Sequence, residues 1–594
     1  MNLNKYIALL SLFVSTQLWA LDSFYELGWI KPGAKIEKLI QYPKLVDELY
    51  FTNQHELMWN NDELANQLEF QIGILDKAQL SPLFSRNVEM LRTYRKQNQA
   101  FEYDLLATDT LISYLNYVEQ APKLGMTWFF EDQKIGSLNQ SSLAVGEEIT
   151  PIFADAVVKN PQSSAVQLSK LLDHYAPPVQ HYDAFVQAYA LLEQQNELKT
   201  PLYQQEGLKR SGDALPNKSQ LLDRISLAGI DVSALEGKMR EDKKQAEIAM
   251  ATFIDESIEP IEAVEEPNPM TEDDALVGME SASLMATEVD LTQQESAVEV
   301  TKPQPYQDTL DNDLLVVVKK FQTMHGLNPD GVIGPKTMKW INIDVDDRIK
   351  LLALNAERMR LWPKDRESII MVNVPAFNMK YWYQGKTVFE SRVIVGKTER
   401  KTPLMITKLD SVILNPSWNV PRKIMVEDIL PKAKRNLSYL SKNKIEIIPK
   451  WGSKRTINPA NINWNTLNPK NFPYKMRQRS GSNNALGLYK FNTPNAQAIY
   501  LHDTPSKGLF NRDSRAYSSG CIRVEGARQF AMSLVDTQGA YKKSRLENST
   551  RSSNARVPLH QKVPVHIIYQ TVWFDNGNIN YRDDIYEYDH LAAN

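Results

Sequence analysis

A single cysteine and a histidine near the C-terminus are the residues best suited to covalent chemistry. Cys521 is the only cysteine among 594 residues, and His502 lies 19 residues before it. A thiol is mostly protonated at neutral pH, and an imidazole within hydrogen-bond reach can take its proton and leave a nucleophilic thiolate. The pair therefore predicts acyl transfer, with Cys521 as the nucleophile and His502 as proton donor and acceptor. No Asp or Asn partner for the imidazole is evident, so we expect a backbone carbonyl to orient its Nδ1 and the Asp503 carboxylate to point elsewhere.

The neighbours of the cysteine predict how negative charge is stabilised. Gly520 lets the backbone approach a substrate, and we expect the amides of Ser519, Gly520 and Cys521 to donate to an oxyanion, each donor contributing roughly 3–4 kcal/mol. Arg523 and the N-terminus of a helix expected from about residue 526 would favour the thiolate. The predicted substrate contacts are Tyr500 and Ser518.

The elements that carry these residues are mostly strands. Apolar residues alternate after about residue 369, and a Gln384-Gly385 turn lies between two such runs, which predicts a β-hairpin. Residues 563–569 alternate in the same way, and His566 is predicted on the solvated face of that strand. We expect a short strand to end at His502 and a tight turn to present Cys521. A β-rich domain is predicted over 346–590.

Residues 421–480 interrupt this pattern. They hold 14 Lys or Arg residues, three acidic residues and six prolines. We interpret them as a basic capping lobe inserted over the site. Such a lobe suits a polyanionic substrate, although an ordinary solvated basic surface is the alternative.

The N-terminal half is predicted to be helical over 21–239. Apolar residues recur at helical spacing within 111–118 and 185–192. The histidines of this region have no ligand-like neighbours, and no metal or cofactor site is predicted in the chain. Residues 240–305 are predicted to be a flexible acidic linker, because no Lys or Arg occurs between Lys244 and Lys302.

The N-terminus and the cysteine count predict export. Residues 1–20 have the lysine, short apolar run and terminal alanine of a signal peptide. Exported chains usually carry paired cysteines, so one unpaired thiol is expected to be either buried or used. No later segment is apolar enough to span a membrane, so the mature protein is predicted to act outside the cytoplasm without an integral membrane segment.

Two regions resemble known families. Residues 318–342, VKKFQTMHGLNPDGVIGPKTMKWIN, fit the frame of the small helical peptidoglycan-binding domain, here placed at 306–345. The segment from His502 to SSGCIRV resembles the L,D-transpeptidase family with its YkuD-type catalytic domain. NPSWNVP, NALGLYKF and ERMRLWP resemble its large Gram-negative branch. Many members have His before the Gly and Asn two positions after the Cys, where this chain has Ser519 and Arg523.

The resemblance implies a multidomain α+β protein with a helical scaffold, a peptidoglycan-binding domain and a β-rich catalytic domain with a capping lobe. It also implies that Cys521 attacks the stem peptide at its meso-diaminopimelate carbonyl and releases D-Ala. A second stem's amine then resolves the thioester as a 3-3 cross-link. The resemblance further implies that carbapenems acylate Cys521 and that the protein lies in the periplasm of a Gram-negative bacterium. The implied partners are peptidoglycan stems and glycan, with other wall-synthesis enzymes as further partners and no nucleic acid.

Three alternatives remain open. The same thioester could react with water, which would make the protein an L,D-endopeptidase or carboxypeptidase, or it could react with a lipoprotein lysine. These reactions differ only in the acceptor, so the motif does not separate them. A non-catalytic wall-binding scaffold is the alternative from another class, and it requires Cys521 to be dispensable.

Overall fold

The computed structural model describes residues 24, 34–130, 164–256, 302–363, 366–464, 466–538, 546, 554–575 and 577–591. Its first part is helical. The helices of this part are α1 (Pro43–Thr52), α2 (Asp62–Lys77), α3 (Pro82–Lys96), α4 (Ala100–Phe130), α5 (Ser164–Tyr175), α6 (Tyr182–Leu198), α7 (Lys218–Ser226) and α8 (Ser233–Glu256). The predicted apolar stripes at 111–118 and 185–192 are buried on α4 and α6. The side chains of Asn61 and Ser81 accept backbone N–H groups at the starts of α2 and α3.

The next unit is a helical pair. It consists of α9 (Asn312–Met324) and α10 (Pro335–Ile341), followed by α11 (Val345–Arg358). Gly326 lies just after α9 with φ +68°, the left-handed geometry that ends a helix, as its position in the sequence predicts. His325 is buried between this unit and the C-terminal part, stacked 5.0 Å from the ring of Tyr581.

The C-terminal part is built on strands. They are β1 (Ser368–Asn373), β2 (Asn378–Tyr383), β3 (Lys386–Gly396), β4 (Met405–Leu414), β5 (Trp418–Asn419), β6 (Ile445–Ile448), β7 (Lys475–Gln478), β8 (Tyr489–Asn492), β9 (Leu501–His502), β10 (Ala516–Ser518), β11 (Ile522–Val524), β12 (Ala555–Ile568), β13 (Val572–Asp575) and β14 (Asn578–Tyr581). Short 3-10 turns cover Lys35–Lys38, Met359–Leu361, Thr398–Arg400, Pro459–Asn461, Pro469–Asn471 and Lys507–Asn511.

Nine of these strands form one sheet in the order β10-β3-β11-β9-β8-β4-β12-β1-β2, and β2 also pairs with β3. That second pairing closes the sheet on itself. The β2–β3 hairpin confirms the predicted turn, because Gln384 and Gly385 have φ of +50° and +71°. The helix predicted after the cysteine, here Ala527–Gln538, packs Phe530 against Phe389 and Phe491.

Helix α11 connects the helical and β-rich parts. It packs against α2, α6 and β13, and one continuous apolar core runs from the scaffold into the large sheet. Two buried contacts lie across this boundary. Arg358 pairs with Asp589 at 2.5 Å, and the Tyr117 hydroxyl donates to Glu357 at 2.6 Å. The scaffold therefore supports the sheet that carries the candidate site.

The lobe, residues 421–480, has its own small apolar core. It begins with a helical turn, Arg422–Ile424, and a π-helical turn, Met425–Ile429, followed by short helices Leu430–Arg435 and Ser438–Lys442. It is not free of strands, because β6 and β7 pair with each other and β7 pairs with β5. Prolines and charges mask these strands in the sequence.

The multidomain α+β class is confirmed, and three details differ from expectation or lie outside the described residues. The proposed acidic linker starts too early, because α8 continues to Glu256 through residues of high helix propensity. The rest of the predicted linker, 257–301, and the predicted signal peptide lie outside the described residues. His566 is buried rather than solvated, in the stretch of β12 that lies between β1 and β4 in the sheet.

Candidate active site

Two neighbouring parallel strands bring the predicted nucleophile and base together. Leu501 pairs with Ile522 and His502 with Arg523 between β9 and β11. Because side chains alternate along a strand, Tyr500, His502, Cys521 and Arg523 share one face. All four line a cavity of about 620 Å³. Cys521 is partly exposed there, so the thiol is accessible from the cavity.

The turn before the cysteine, Ser518–Cys521, is fixed by its own hydrogen bonds. The Ser518 hydroxyl donates to the Cys521 carbonyl at 2.5 Å and accepts the Gly520 amide at 3.1 Å. Gly520 has φ +112°, which side-chain-bearing residues rarely adopt. Thr402 donates to the Gly520 carbonyl at 2.9 Å. We call this segment the nucleophile turn.

These bonds bear on two site predictions. The Gly520 amide is already donated to Ser518, so in this structure it is not free to bond an oxyanion. The Ser518 hydroxyl is buried and bonded within the turn, while the residue also lines the cavity, so its contact with substrate stays a prediction. Among the described residues no protein acceptor is recorded for the amides of Ser519 and Cys521. The oxyanion prediction therefore rests on those two groups.

The imidazole is oriented by a backbone carbonyl, as the sequence predicts. His502 Nδ1 lies 2.5 Å from the Asp503 carbonyl oxygen. That contact requires the proton on Nδ1 and leaves Nε2 with the lone pair that a base needs. The Asp503 carboxylate points elsewhere, as expected, since it accepts the Leu488 amide at 2.9 Å and pairs with Lys507.

A row of cations flanks the imidazole. Lys490 on β8 is directly opposite His502, and Arg523 on β11 is opposite it on the other side. No ion pair to Lys490 or Arg523 is recorded within the described ranges. Burial, and then the charge of Arg523, lowers the pKa of His502 to about 3.

The pKa of the Cys521 thiol shifts in the opposite direction. Burial raises the pKa of Cys521, although hydrogen bonds from Tyr500 and the charges of Lys490 and Arg523 pull it down. Its Sγ lies 3.8 Å from the Ala498 carbonyl, to which the thiol donates. The expectation of a ready thiolate is therefore wrong for the substrate-free protein. Burial outweighs the nearby cations, and a neutral thiol faces a neutral imidazole.

The remaining predicted residues and several unpredicted ones complete the cavity. Tyr500 is placed against both the thiol and His502, with ring centroids 5.8 Å apart for the second pair. The cavity lining also includes residues in and just before the lobe, namely Trp418, Pro421, Lys423 and Ile424. Sequence reasoning missed Lys490 and Trp418. Both lie in segments noted for their resemblance, NALGLYKF and NPSWNVP, but a linear segment gives no cross-strand register and so no role for either side chain.

Sequence comparison agrees with this geometry. Residues 367–538 match the family model of the YkuD L,D-transpeptidase catalytic domain. The similarity to an L,D-transpeptidase domain thus lies in the β-rich part of the chain. Residues 44–188 match a scaffold domain model, and residues 299–341 match the "Putative peptidoglycan binding domain" model. The matched catalytic region contains both Cys521 and His502.

Two known proteins are similar to parts of the chain. A "Putative L,D-transpeptidase" from Haemophilus influenzae is 44% identical over 240 residues, which is 40% of this chain and 48% of the relative. The chain thus spans about half the length of that relative. A solved L,D-transpeptidase from Mycobacterium smegmatis is 11% identical, over 34% of this chain and 58% of that one, with a TM-score of 0.16. A score that low carries no structural argument.

No helix among the described residues has the length and apolarity to cross a bilayer. The same residues contain no cluster of three or more His, Cys, Asp or Glu side chains placed to hold a metal ion.

Proposed function

We propose that this protein is a peptidoglycan L,D-transpeptidase that forms 3-3 cross-links through a thioester on Cys521. The observation that carries the proposal is the shared strand face of His502 and Cys521, with the imidazole held in the tautomer of a base. The L,D-transpeptidase and peptidoglycan-binding matches support peptidoglycan as the substrate.

The proposed reaction has two acyl transfers. The Cys521 sulfur attacks the carbonyl carbon of the third stem residue while His502 Nε2 accepts the thiol proton. The bond to the terminal D-Ala breaks, and the imidazolium returns the proton to the leaving amine. The diaminopimelate amine of a second stem then attacks the thioester, forms the amide and restores the thiol. The Ser519 and Cys521 amides are the proposed donors to the oxyanion of each step.

Charge complementarity favours a substrate rich in carboxylates. Lys490 and Arg523 flank the base, and the exposed Lys423 extends from the lobe into the cavity lining. A carboxylate bound beside these cations would offset their field at His502. We therefore propose that the bound stem raises the pKa of His502 and makes the neutral pair reactive.

Muropeptides test the acceptor. Purified protein incubated with tetrapeptide-stem muropeptides should yield 3-3 linked dimers by mass spectrometry, and Cys521→Ala should yield none. Tripeptides without dimers would contradict cross-linking and indicate water as the acceptor. No product from the wild-type protein, together with full cellular function of Cys521→Ala, would instead support a wall-binding scaffold. We also propose a periplasmic location, which cell fractionation with a cytoplasmic marker tests.

Acylation by a carbapenem is a second, independent test of which residue is the nucleophile. The wild-type protein should gain one covalent carbapenem mass, and Cys521→Ala should gain none. Addition of the same mass to Cys521→Ala would mean that another group is acylated.

A further inference from the structure

Arg400 contacts both the lobe and the nucleophile turn. Its guanidinium donates to the two Asp428 oxygens at 2.5 and 2.9 Å and to Glu427 at 2.7 Å. It also donates to the Ser519 hydroxyl at 2.9 Å. The planar fork of arginine suits such simultaneous contacts. Its side chain is only 10% exposed, whereas those of Glu427 and Asp428 are 46% and 40% exposed, so solvent still screens these ion pairs in part.

The acidic residues of the lobe have different partners. Only three occur in residues 421–480, and two of them, Glu427 and Asp428, lie on the π-helical turn that meets Arg400. The third, Glu446, pairs within the lobe with Arg477 and Arg479. The lobe has a separate apolar core. The ion pairs of Arg400 with Glu427 and Asp428 are therefore polar contacts that join the lobe to the rest of the domain.

The segment that bears Arg400 is itself fixed against the nucleophile turn. Thr402 accepts the Gly396 amide at 2.8 Å and donates to the Gly520 carbonyl. The Tyr586 hydroxyl accepts the Thr402 amide at 2.9 Å and donates to the Gly396 carbonyl at 2.6 Å. A displacement of Arg400 therefore reaches the turn through its side chain and through its own backbone.

We infer that Arg400 is a positioning residue that couples the seating of the lobe to the geometry of the nucleophile turn. When Glu427 and Asp428 engage its guanidinium, Arg400 is held where it bonds Ser519, two residues before Cys521. When the lobe shifts, that contact is lost and the thiol changes its environment. The inference rests on the proposed role of Cys521, and it assigns the lobe a second task besides lining the cavity.

Alkylation of Cys521 by iodoacetamide, followed by mass spectrometry across a pH series, tests the coupling without any wall substrate. The lobe-side double variant Glu427→Gln/Asp428→Asn does not alter the nucleophile turn. It should nevertheless change the alkylation rate by about fivefold, the size expected of directly coupled groups. Arg400→Met should change the rate similarly. In the Arg400→Met background the lobe-side changes should have no further effect.

Glu446→Gln is the matched control, because it breaks ion pairs inside the lobe without contacting Arg400. It should alkylate at the wild-type rate. The inference is overturned if the lobe-side variant alkylates as wild type, if Glu446→Gln matches it, or if the Arg400 and lobe-side effects simply add. Thermal unfolding identifies any misfolded variant, and Arg400→Lys, which keeps the charge but not the fork, then replaces Arg400→Met. A failed muropeptide assay with coupling intact would refute the proposed function alone.

Discussion

The neutral thiol and imidazole predict an unusual pH dependence for a cysteine nucleophile. The pKa of His502 is lowered to about 3, and that of Cys521 is raised above its ordinary value of 9.0. Both shifts favour the neutral pair, so the proton stays on the sulfur of Cys521 in the substrate-free protein. At pH 7 the thiol is therefore predominantly protonated.

Alkylation of the substrate-free protein by iodoacetamide measures this directly. The rate should rise about tenfold per pH unit from pH 6 to 8 and show no plateau below pH 8. His502→Asn should retain nearly the same profile, because the imidazole does not hold the thiol proton at rest, yet it should lose muropeptide turnover. A plateau between pH 4 and 7 that disappears in His502→Asn would show a resting ion pair and refute the reasoning.

Three further predictions concern single side chains. Asp109→Asn should raise the thermal unfolding midpoint at pH 8 more than at pH 4, since burial raises the Asp109 pKa to about 7 and its Oδ2 has no hydrogen-bond partner among the described residues. A raised carboxyl pKa makes the folded state bind the proton more tightly, so stability falls as pH rises from about 4 to 7, by on the order of 2–4 kcal/mol. Lys490→Met should raise the pKa of His502, measured by NMR titration in a Cys521→Ala background, while an unchanged value would exclude its charge as a cause. Gly520→Ala should lower the carbapenem acylation rate by up to about 100-fold and should also lower the unfolding midpoint, because its φ of +112° strains any L side chain by about 1–3 kcal/mol.

The sequence could predict the features that depend on local patterns. The hairpin at Gln384-Gly385 and the helix pair near Gly326 follow from turn and capping residues. The nucleophile and base follow from residue types at short spacing, and even the backbone carbonyl partner of His502 could be anticipated once no acidic partner was evident. Each of these inferences needs only neighbours along the chain.

The features that escaped prediction depend on contacts distant in sequence. Lys490 meets His502 only through the β8–β9 register, and Arg400 meets Asp428 only after the lobe has folded on its own core. The burial of His566 likewise requires knowing that β12 has a strand on each side. A linear pattern specifies which face a side chain takes, but not which element covers that face.

The protonation state of Cys521 and His502 also depends on contacts distant in sequence, and it has the largest functional consequence. From the sequence, Arg523 beside Cys521 indicates a stabilised thiolate, because a nearby cation always lowers the pKa of a thiol. Folding adds desolvation, which raises the pKa of the thiol and lowers that of the imidazole. It is the largest effect on both groups. The same cations that would help the thiolate also oppose protonation of His502, so they cannot produce an ion pair unaided. An anionic substrate would offset the cations' effect on both groups. By raising the pKa of His502 it would let the imidazole accept the thiol proton as the sulfur attacks, which is why we expect the reactive state to form with the stem peptide in place.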